Sequence, residues 1–367
     1  MLIGIDGSRA FLKQRTGIEE YSYQVIKHLR DKLPNAEVVL YLRRDQAVNF
    51  DLPADWRIKF IRFPYLWTQA GLSLEMILHP AAVLFVPAHT VPLKHPENTV
   101  VTIHGLEYEF CPEAYSFWAK KYMRWSIKNS CRWAKTIISV SENTKKDLIK
   151  LYGVPEEKIR VIHEGYDRNF QFPPPAGGSN FQSNHNDKIS KPYLLFVGRL
   201  EERKNIAGII RTFEILKEKY QIPHQLVLAG KPGFGYEKIN QKLQTTNYKK
   251  DIFLPGFVTD EKKWELLKNA DAFLFPTFYE GFGIPVLEAQ SVGVPVVASS
   301  NSSLEEVCDH SAVMVDPNEP EEIAERTNVL LSDKFYQNDI IKRGYENVKR
   351  FSWEKCAQEV AEILTEK

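Results

Sequence analysis

The chain has 367 residues, 43% of them hydrophobic and 26% charged, with a formal net charge of +1 at pH 7. This length exceeds an ordinary single domain and predicts two domains with ample core. The near-zero net charge excludes an overall electrostatic pull toward nucleic acid or membrane. The cysteines, Cys111, Cys131, Cys308 and Cys356, lie far apart without C-x-x-C spacing. That argues against a disulfide framework or a zinc site and fits a reducing compartment. The opening "MLIGIDGSRA" lacks the basic start and long apolar run of a signal peptide, and no apolar run is long enough to span a bilayer. The expected location is cytoplasmic.

In chain order, "MLIGID" reads as a strand and "IEEYSYQVIKHLRDKL" as an amphipathic helix. Further strands are expected at "EVVLYL", "IKFIRF", "AVLFVPA", "TVVTIH" and, after a long helix, "TIISVS". Residues 173–191 are rich in Pro, Gly, Ser and Asn without periodicity, and read as a linker. The alternation then restarts with "YLLFVG", the helix "NIAGIIRTFEILKEKY" and the strands "QLVLAG", "DIFLPG", "AFLFPT", "VPVVAS" and "AVMVDP". The closing "SWEKCAQEVAEILTEK" is an amphipathic helix, and there is no short-period repeat. Strands alternating with helices predict parallel sheets covered on both faces. Two such halves predict a ligand cleft facing the C-terminal ends of both sheets.

Five stretches can carry chemistry. In "YEGFGIPVLE", Pro285 suits the first helical position, while Gly293 and Pro295 suit the stop, so a helix is expected over about 285–292. Its free N–H groups at Gly283 and Ile284 form an anion site. Glu288 leans back toward that mouth and Glu280 reaches it from the loop. Two carboxylates beside a phosphate make sense if they accept hydrogen bonds from hydroxyls on either side of it, as a nucleotide-diphosphate sugar provides; first-turn decoration is the plain alternative. In "FVGRLEERKNIAG", Arg199 leaves a strand end and Lys204 stands where a helix begins, a diphosphate clamp. The intervening Glu201, Glu202 and Arg203 read as solvated charges. In "SSNSSLEEV", Ser302 and Ser303 each precede a glutamate by three, as in a capping box; a second phosphate-binding helix mouth is the alternative. In the first half, Gly17 allows close backbone approach of a ligand, and His104 ends a buried strand.

Residues 117–135 hold six basic residues and no acid. Lys120, Arg124, Lys128 and Arg132 recur every four residues beside Trp118, Tyr122 and Trp125, as on a helix that meets anionic lipid headgroups; a solvated helix with its aromatics in the core is the alternative. No recognition motif supports RNA binding. There is no G-x-G-x-x-G after the first strand, no P-loop, no G-x-S-x-G and no metal-centre spacing.

Taken in order, these stretches resemble the family 4 retaining glycosyltransferases of the two-domain GT-B fold. "RTGIEEYSYQVIKHL" resembles that family's N-terminal glycine loop and helix, "TIHG" its histidine-bearing strand end, and "ISVSENTKKDL" its serine-containing strand-to-helix step. "FVGRLEERKN" resembles its Arg/Lys donor clamp, "PTFYEGFGIPVLEAQSVGVPVVAS" its E-x7-E signature and "VCDHSAVMVDP" its closing segment. The resemblance implies an α/β fold of two Rossmann-like parallel-sheet domains facing each other across a cleft. An acceptor-side domain would cover 1–172 and a nucleotide-sugar domain 192–350, with 351–367 a helix crossing back to the first. It further implies retaining, metal-independent hexosyl transfer from a nucleotide-diphosphate sugar, with a lean toward GDP-mannose, to a lipid-linked or surface glycan. No cofactor and no nucleic-acid partner are expected, and peripheral contact with the inner face of the cell membrane is. Arg199 and Lys204 would hold the diphosphate, Glu288 the ribose and Glu280 the hexose. Backbone at Phe282, Gly283 and Ile284 would meet sugar and phosphate, His104 would touch the donor sugar, and Gly17 would lie near the diphosphate and acceptor. The sequence departs from the family in two places: Gly105 follows His104 where the family often has Asp, and His163-Glu164-Gly165 stands in place of the Asn-Gly-Val-Asp run. A nucleotide-sugar epimerase, a sugar phosphorylase or a non-catalytic nucleotide-sugar-binding subunit would share the fold.

Overall fold

The computed structural model describes residues 1–34, 36–166, 189 and 192–366. The chain divides into two compact units, Met1–Leu106 with Ser116–Gly165 and Phe351–Lys367, and Glu107–Tyr115 with Tyr166–Arg350. Apart from Ile189, which packs against the second unit's core, the stretch read as a linker lies outside the described residues.

The first unit is built on a parallel sheet of β1 (Leu2–Asp6), β2 (Glu37–Arg43), β3 (Trp56–Ile61), β4 (Val83–Val86), β5 (Thr99–Ile103), β6 (Thr136–Ser139) and β7 (Ile159–Val161), ordered β3-β2-β1-β4-β5-β6-β7. Its inner strands β1, β4 and β5 are runs of branched apolar residues buried on both faces, the pattern a helix-covered parallel sheet requires. The registers β1–β4, with Ile3 opposite Val83, and β4–β5, with Phe85 opposite Val100, bring the C-terminal ends of these strands side by side. The helix Gly17–Leu29 starts at the N-cap Thr16, whose backbone N–H donates to Glu19 Oε2 at 3.2 Å. The helix Trp353–Thr365 packs on it through Trp353 against Tyr21, ring centroids 6.0 Å apart. The chain passes so close to that helix at Gly165 that a Cβ there would stand 2.2 Å from Trp353 N.

The second unit repeats the plan with β8 (Tyr193–Val197), β9 (Gln225–Ala229), β10 (Ile252–Gly256), β11 (Ala272–Phe275), β12 (Val296–Ser299) and β13 (Val313–Val315), ordered β10-β9-β8-β11-β12-β13. Phe196, Phe273 and Phe275 stack through its centre, with centroids 5.9 and 5.6 Å apart. In both sheets the strand order reverses beside the unit's first strand, β1 or β8. Open α/β sheets bind ligands outside the carboxyl ends of the strands at such a reversal. The loops that leave β8 and β11 therefore carry the site.

Sequence reading located the six strands of the second sheet and missed β7 in the first, Ile159–Val161, where the exposed Arg160 breaks the apolar run. It also gave no sign that Glu107–Tyr115 would join the second unit.

Candidate active site

Strand β8 ends at Gly198, whose backbone N–H donates to the Ala229 carbonyl at 3.0 Å. The neighbouring Gly230 has φ +155°, and a Cβ on it would lie 1.7 Å from the Gly198 carbonyl oxygen. Only glycine permits this approach, and it fixes the path of the following loop. The Arg199 side chain is exposed and makes no hydrogen bond or ion pair among the described residues. The loop then turns at Asn205, φ 56°, which caps the helix Ile206–Lys219 by accepting from Gly208 N at 3.2 Å. The Asn205 side-chain amide also donates to the Pro276 and Pro317 carbonyls at 3.0 and 2.7 Å. One side chain thus ties the loop after β8 to the loop after β11.

Between these anchors the charges expected in solvent turn inward. Lys204 Nζ lies 2.5 Å from Glu280 Oε1. Arg203 Nη1 donates to the Tyr279 carbonyl at 2.8 Å and approaches Glu280 Oε1 at 3.3 Å, while Nη2 donates to Glu201 Oε1 at 2.8 Å. The side chains of Arg203, Lys204, Glu201 and Glu280 are 16, 12, 13 and 9% exposed. The reading of Glu201 and Arg203 as solvated is therefore corrected; only Glu202 reaches an outward partner, Lys238, at 2.8 Å. Burial opposes the charge on Glu280, but Lys204 and Arg203 outweigh it and hold the carboxyl below its ordinary value. Burial lowers Lys204 despite the carboxylate beside it. Arg203 is driven the other way: Glu280, Glu107 and Glu201 overcome burial and raise it.

Glu280 is held from behind as well. Its backbone N–H donates to Ser302 Oγ at 3.1 Å, and Ser303 Oγ donates to the carbonyls of Glu280 and Phe282 at 2.9 and 2.8 Å. The expected capping box is not formed: Ser303 makes no side-chain cap on the short helix Leu304–Cys308, because its hydroxyl is committed to the Glu280 loop. The signature helix runs Ile284–Ser291, one residue earlier than expected at each end. It opens at Gly283, φ 122°, where a Cβ would meet Leu304 Cδ2 at 2.6 Å, and is followed by Gly293 at φ 76°. Glu288 on that helix pairs with Lys263 at 2.6 Å. The two glutamates of the signature thus occupy separate ion pairs, with the helix mouth at Phe282, Gly283 and Ile284 between them in the chain.

The first unit holds the remaining candidates. His104 follows β5; its Nε2 donates to the Pro87 carbonyl at 2.9 Å and its Nδ1 lies 3.1 Å from Glu164 Oε1. The Tyr21 ring meets it edge-on at 4.6 Å. The two departures from the family pattern therefore meet: the glutamate of His163-Glu164-Gly165 is the partner of the histidine that lacks a following Asp. Gly17 is exposed, its φ lies outside the left-handed region, and a Cβ there would meet nothing within 4 Å. Arg124, Lys128 and Arg132 are exposed on the helix Phe117–Trp133 and Lys120 is half-buried.

Sequence reading missed Arg203, Lys263 and Glu164. The available signal was chemical: two carboxylates on a well-packed loop and helix demand buried cations close by, and Lys204 alone cannot serve both. No helix among the described residues is long and apolar enough to cross a membrane.

Comparison with known proteins places this geometry. Residues 15–170 match the family described as Glycosyltransferase Family 4, and residues 179–347 match Glycosyl transferases group 1. The O-antigen chain mannosyltransferase B of Escherichia coli is 31% identical over 260 residues, 71% of this chain and 68% of that protein. The O-antigen chain mannosyltransferase RfbU of Salmonella typhimurium is 27% identical over 278 residues, 76% of this chain and 72% of that protein. Among solved structures, sucrose-phosphate synthase from Thermosynechococcus elongatus superposes with a TM-score of 0.75 at 18% identity, covering 99% of this chain and 98% of that one, a likeness of fold. The chain belongs to glycosyltransferase family 4 and is a glycosyltransferase of the GT-B fold.

Proposed function

We propose that the enzyme transfers mannose from GDP-mannose to a hydroxyl of a lipid-linked or surface glycan, with retention at the anomeric carbon and without a metal ion. The observation that carries this reading is the buried Lys204–Glu280 pair at the switch point of the second sheet, 2.5 Å apart and beside the N-terminus of the helix Ile284–Ser291. A lysine and a glutamate held this way divide the donor between them, the ammonium taking the diphosphate and the carboxylate accepting from the hexose hydroxyls. As the bond from the sugar carbon to the diphosphate breaks, negative charge collects on the leaving group and positive charge on the sugar ring. Arg199, Lys204 and the N–H groups at Phe282, Gly283 and Ile284 offset the former by preorganised electrostatics. Glu288 takes the ribose. In the first unit, His104 serves the transferred sugar and Gly17 the diphosphate and acceptor; that nothing in the fold requires glycine at position 17 favours a ligand role. The mannose assignment is supported by the relatives named O-antigen chain mannosyltransferases.

The acceptor side is supported by the helix Phe117–Trp133. Phe117, Trp118, Tyr122 and Trp125 are 66, 74, 51 and 44% exposed, so the aromatics lie beside the basic stripe on the surface and not in the core. Rings of this kind next to Lys and Arg suit the headgroup region of an anionic bilayer. Flotation with anionic vesicles should carry the wild type and leave the Lys120/Arg124/Lys128 charge-reversed variant behind; equal flotation sinks the membrane contact. A thermal-shift screen tests the donor. GDP-mannose at about 100 Kd should stabilise the protein by about 2.7 kcal/mol, a shift confined to another nucleotide sugar would replace mannose, and no shift with any of them would end the reading.

A further inference from the structure

The pairing of Lys204 with Glu280 sets a problem for the reading above. The same ammonium neutralises Glu280 in the ligand-free protein and is needed by the diphosphate once the donor is bound. We propose that Arg203 is a positioning residue for the transfer: it keeps the Glu280 carboxylate ionised and in place when Lys204 is drawn to the diphosphate. The proposal rests on the donor reading for the direction of Lys204, and on geometry alone for what Arg203 holds.

Arg203 grips the loop after β11 from two sides. Its backbone carbonyl accepts from Phe278 N at 3.0 Å, and its guanidinium donates to the Tyr279 carbonyl at 2.8 Å while facing Glu280 Oε1 at 3.3 Å. The second nitrogen is anchored on Glu201 at 2.8 Å. A guanidinium spreads five donors over a rigid plane and keeps its charge at any working pH, whereas a buried lysine can lose its proton. Arg203 cannot follow an anion without giving up the Tyr279 carbonyl and Glu201, while Lys204, held by Glu280 Oε1 and over the Phe275 ring at 5.0 Å, has a flexible stem and no backbone oxygen to give up. The carboxylate that loses Lys204 therefore keeps a fixed cation.

The other ionisable groups in this environment do not take over that role. Glu201 and Glu107 add negative charge beside Arg203. Cys111, packed in from the 107–115 segment, is pushed by burial up to about 11 and stays a neutral thiol, and burial raises Tyr115 as well. Ser302 and Ser303 fix the backbone of Glu280 and supply no charge.

The test removes Lys204 without any ligand. In Lys204→Met, a carbon-detected NMR titration of Glu280 should show a lower midpoint than in Lys204→Met/Arg203→Gln, because the guanidinium still opposes the effect of burial. In Lys204→Met/Arg203→Gln the midpoint should rise by about one pH unit or more, with Lys204→Met/Arg203→Lys between the two. Equal midpoints in Lys204→Met and Lys204→Met/Arg203→Gln would overturn the proposal. Should the double variant not fold, Arg203→Gln alone carries the test, by calorimetry with GDP-mannose and GDP between about pH 5 and 8. The extra affinity for GDP-mannose should fall about fivefold or more toward the acid end while GDP binds as before; equal loss for both ligands overturns the proposal. A wild type that binds no nucleotide sugar removes the donor reading, and the ligand-free titration still decides what Arg203 does to Glu280.

Discussion

At the end of β8 the second unit buries Arg203, Lys204, Glu201 and Glu280 against one another. The corresponding end of the first unit's sheet offers an exposed glycine, Gly17, and a histidine whose two ring nitrogens already face Pro87 and Glu164. Strand order around the switch point is the same in both, so the sheet does not dictate the difference; the loops do. In the second unit the Gly198–Gly230 contact and the Asn205 bridge fix the loop paths to within a hydrogen bond, and charges can be buried because their partners cannot drift. A network of that kind is preorganised for an anionic ligand but mutually satisfied without one, so binding must exchange partners. The first unit keeps open space at Gly17 and spends its polar groups on holding β4, β5 and the segment after β7 together.

The sharpest way to break the contrast is to neutralise one charge in the second unit. Lys204→Ala should lower turnover of the proposed donor by about 10²–10³, or roughly 3–4 kcal/mol on the barrier, with the fold preserved because Arg203 still pairs with Glu280. Release of nucleoside diphosphate measures the rate and circular dichroism the fold. Near wild-type turnover would mean the buried charges are structural, and the chemistry would have to be sought elsewhere.

The glycines provide the next comparison. Gly230→Ala drives a Cβ to 1.7 Å from the Gly198 carbonyl at a φ of +155°, and should cost roughly 3 kcal/mol or more in denaturant unfolding. Gly17→Ala meets nothing within 4 Å and should leave stability within about 0.5 kcal/mol while depressing transfer. If Gly17→Ala is active and as stable as the wild type, Gly17 has no ligand role.

Much of this was legible in the chain. Apolar runs such as "YLLFVG" and "AFLFPT" marked strands because a doubly covered sheet leaves no polar face, and Pro285 and Gly293 marked a helix to within one residue. Within Glu201-Glu202-Arg203-Lys204, Glu201 and Arg203 were misread as solvated because adjacent charges look alike in sequence; which of them turns inward depends on the turn at Asn205 and on Tyr279 offering its carbonyl. Glu164 lies 60 residues from His104, and no local pattern reports such a pairing. Ser303 was read as a cap because capping is a local rule, while its bonds to Glu280 and Phe282 are tertiary.

That long-range pair gives a smaller test. Glu164→Ala leaves His104 Nδ1 without its carboxyl partner in a half-buried setting and should destabilise the protein by about 1–3 kcal/mol. Glu164→Asp should recover part of the loss. A variant as stable as the wild type would show that the Pro87 carbonyl alone holds the ring, and the two departures from the family pattern would be unrelated.

The smallest effect separates the two sheet ends by sign. Glu280 sits below its ordinary value of 4.5 because Lys204 and Arg203 outweigh burial. Its ionisation therefore contributes stability above that value, which is lost as pH falls through the lower folded-state value. Asp6, at the end of β1, is raised above 3.8 by burial, against the opposing hydrogen bonds from Ser8. Its ionisation costs stability as pH rises from 3.8 through the raised folded-state value. Near neutrality Glu280→Gln should thus be less stable than the wild type and Asp6→Asn more stable, since Asn can still accept from Ser8 N, which lies 2.9 Å from Asp6 Oδ1. Both differences should shrink on acidification, read as denaturant midpoints over a pH series. If both variants were more stable than the wild type, burial and not the cations would govern both carboxyls; if both were less stable, both charges would be favourably held; either way the electrostatic distinction between the two switch points would fall.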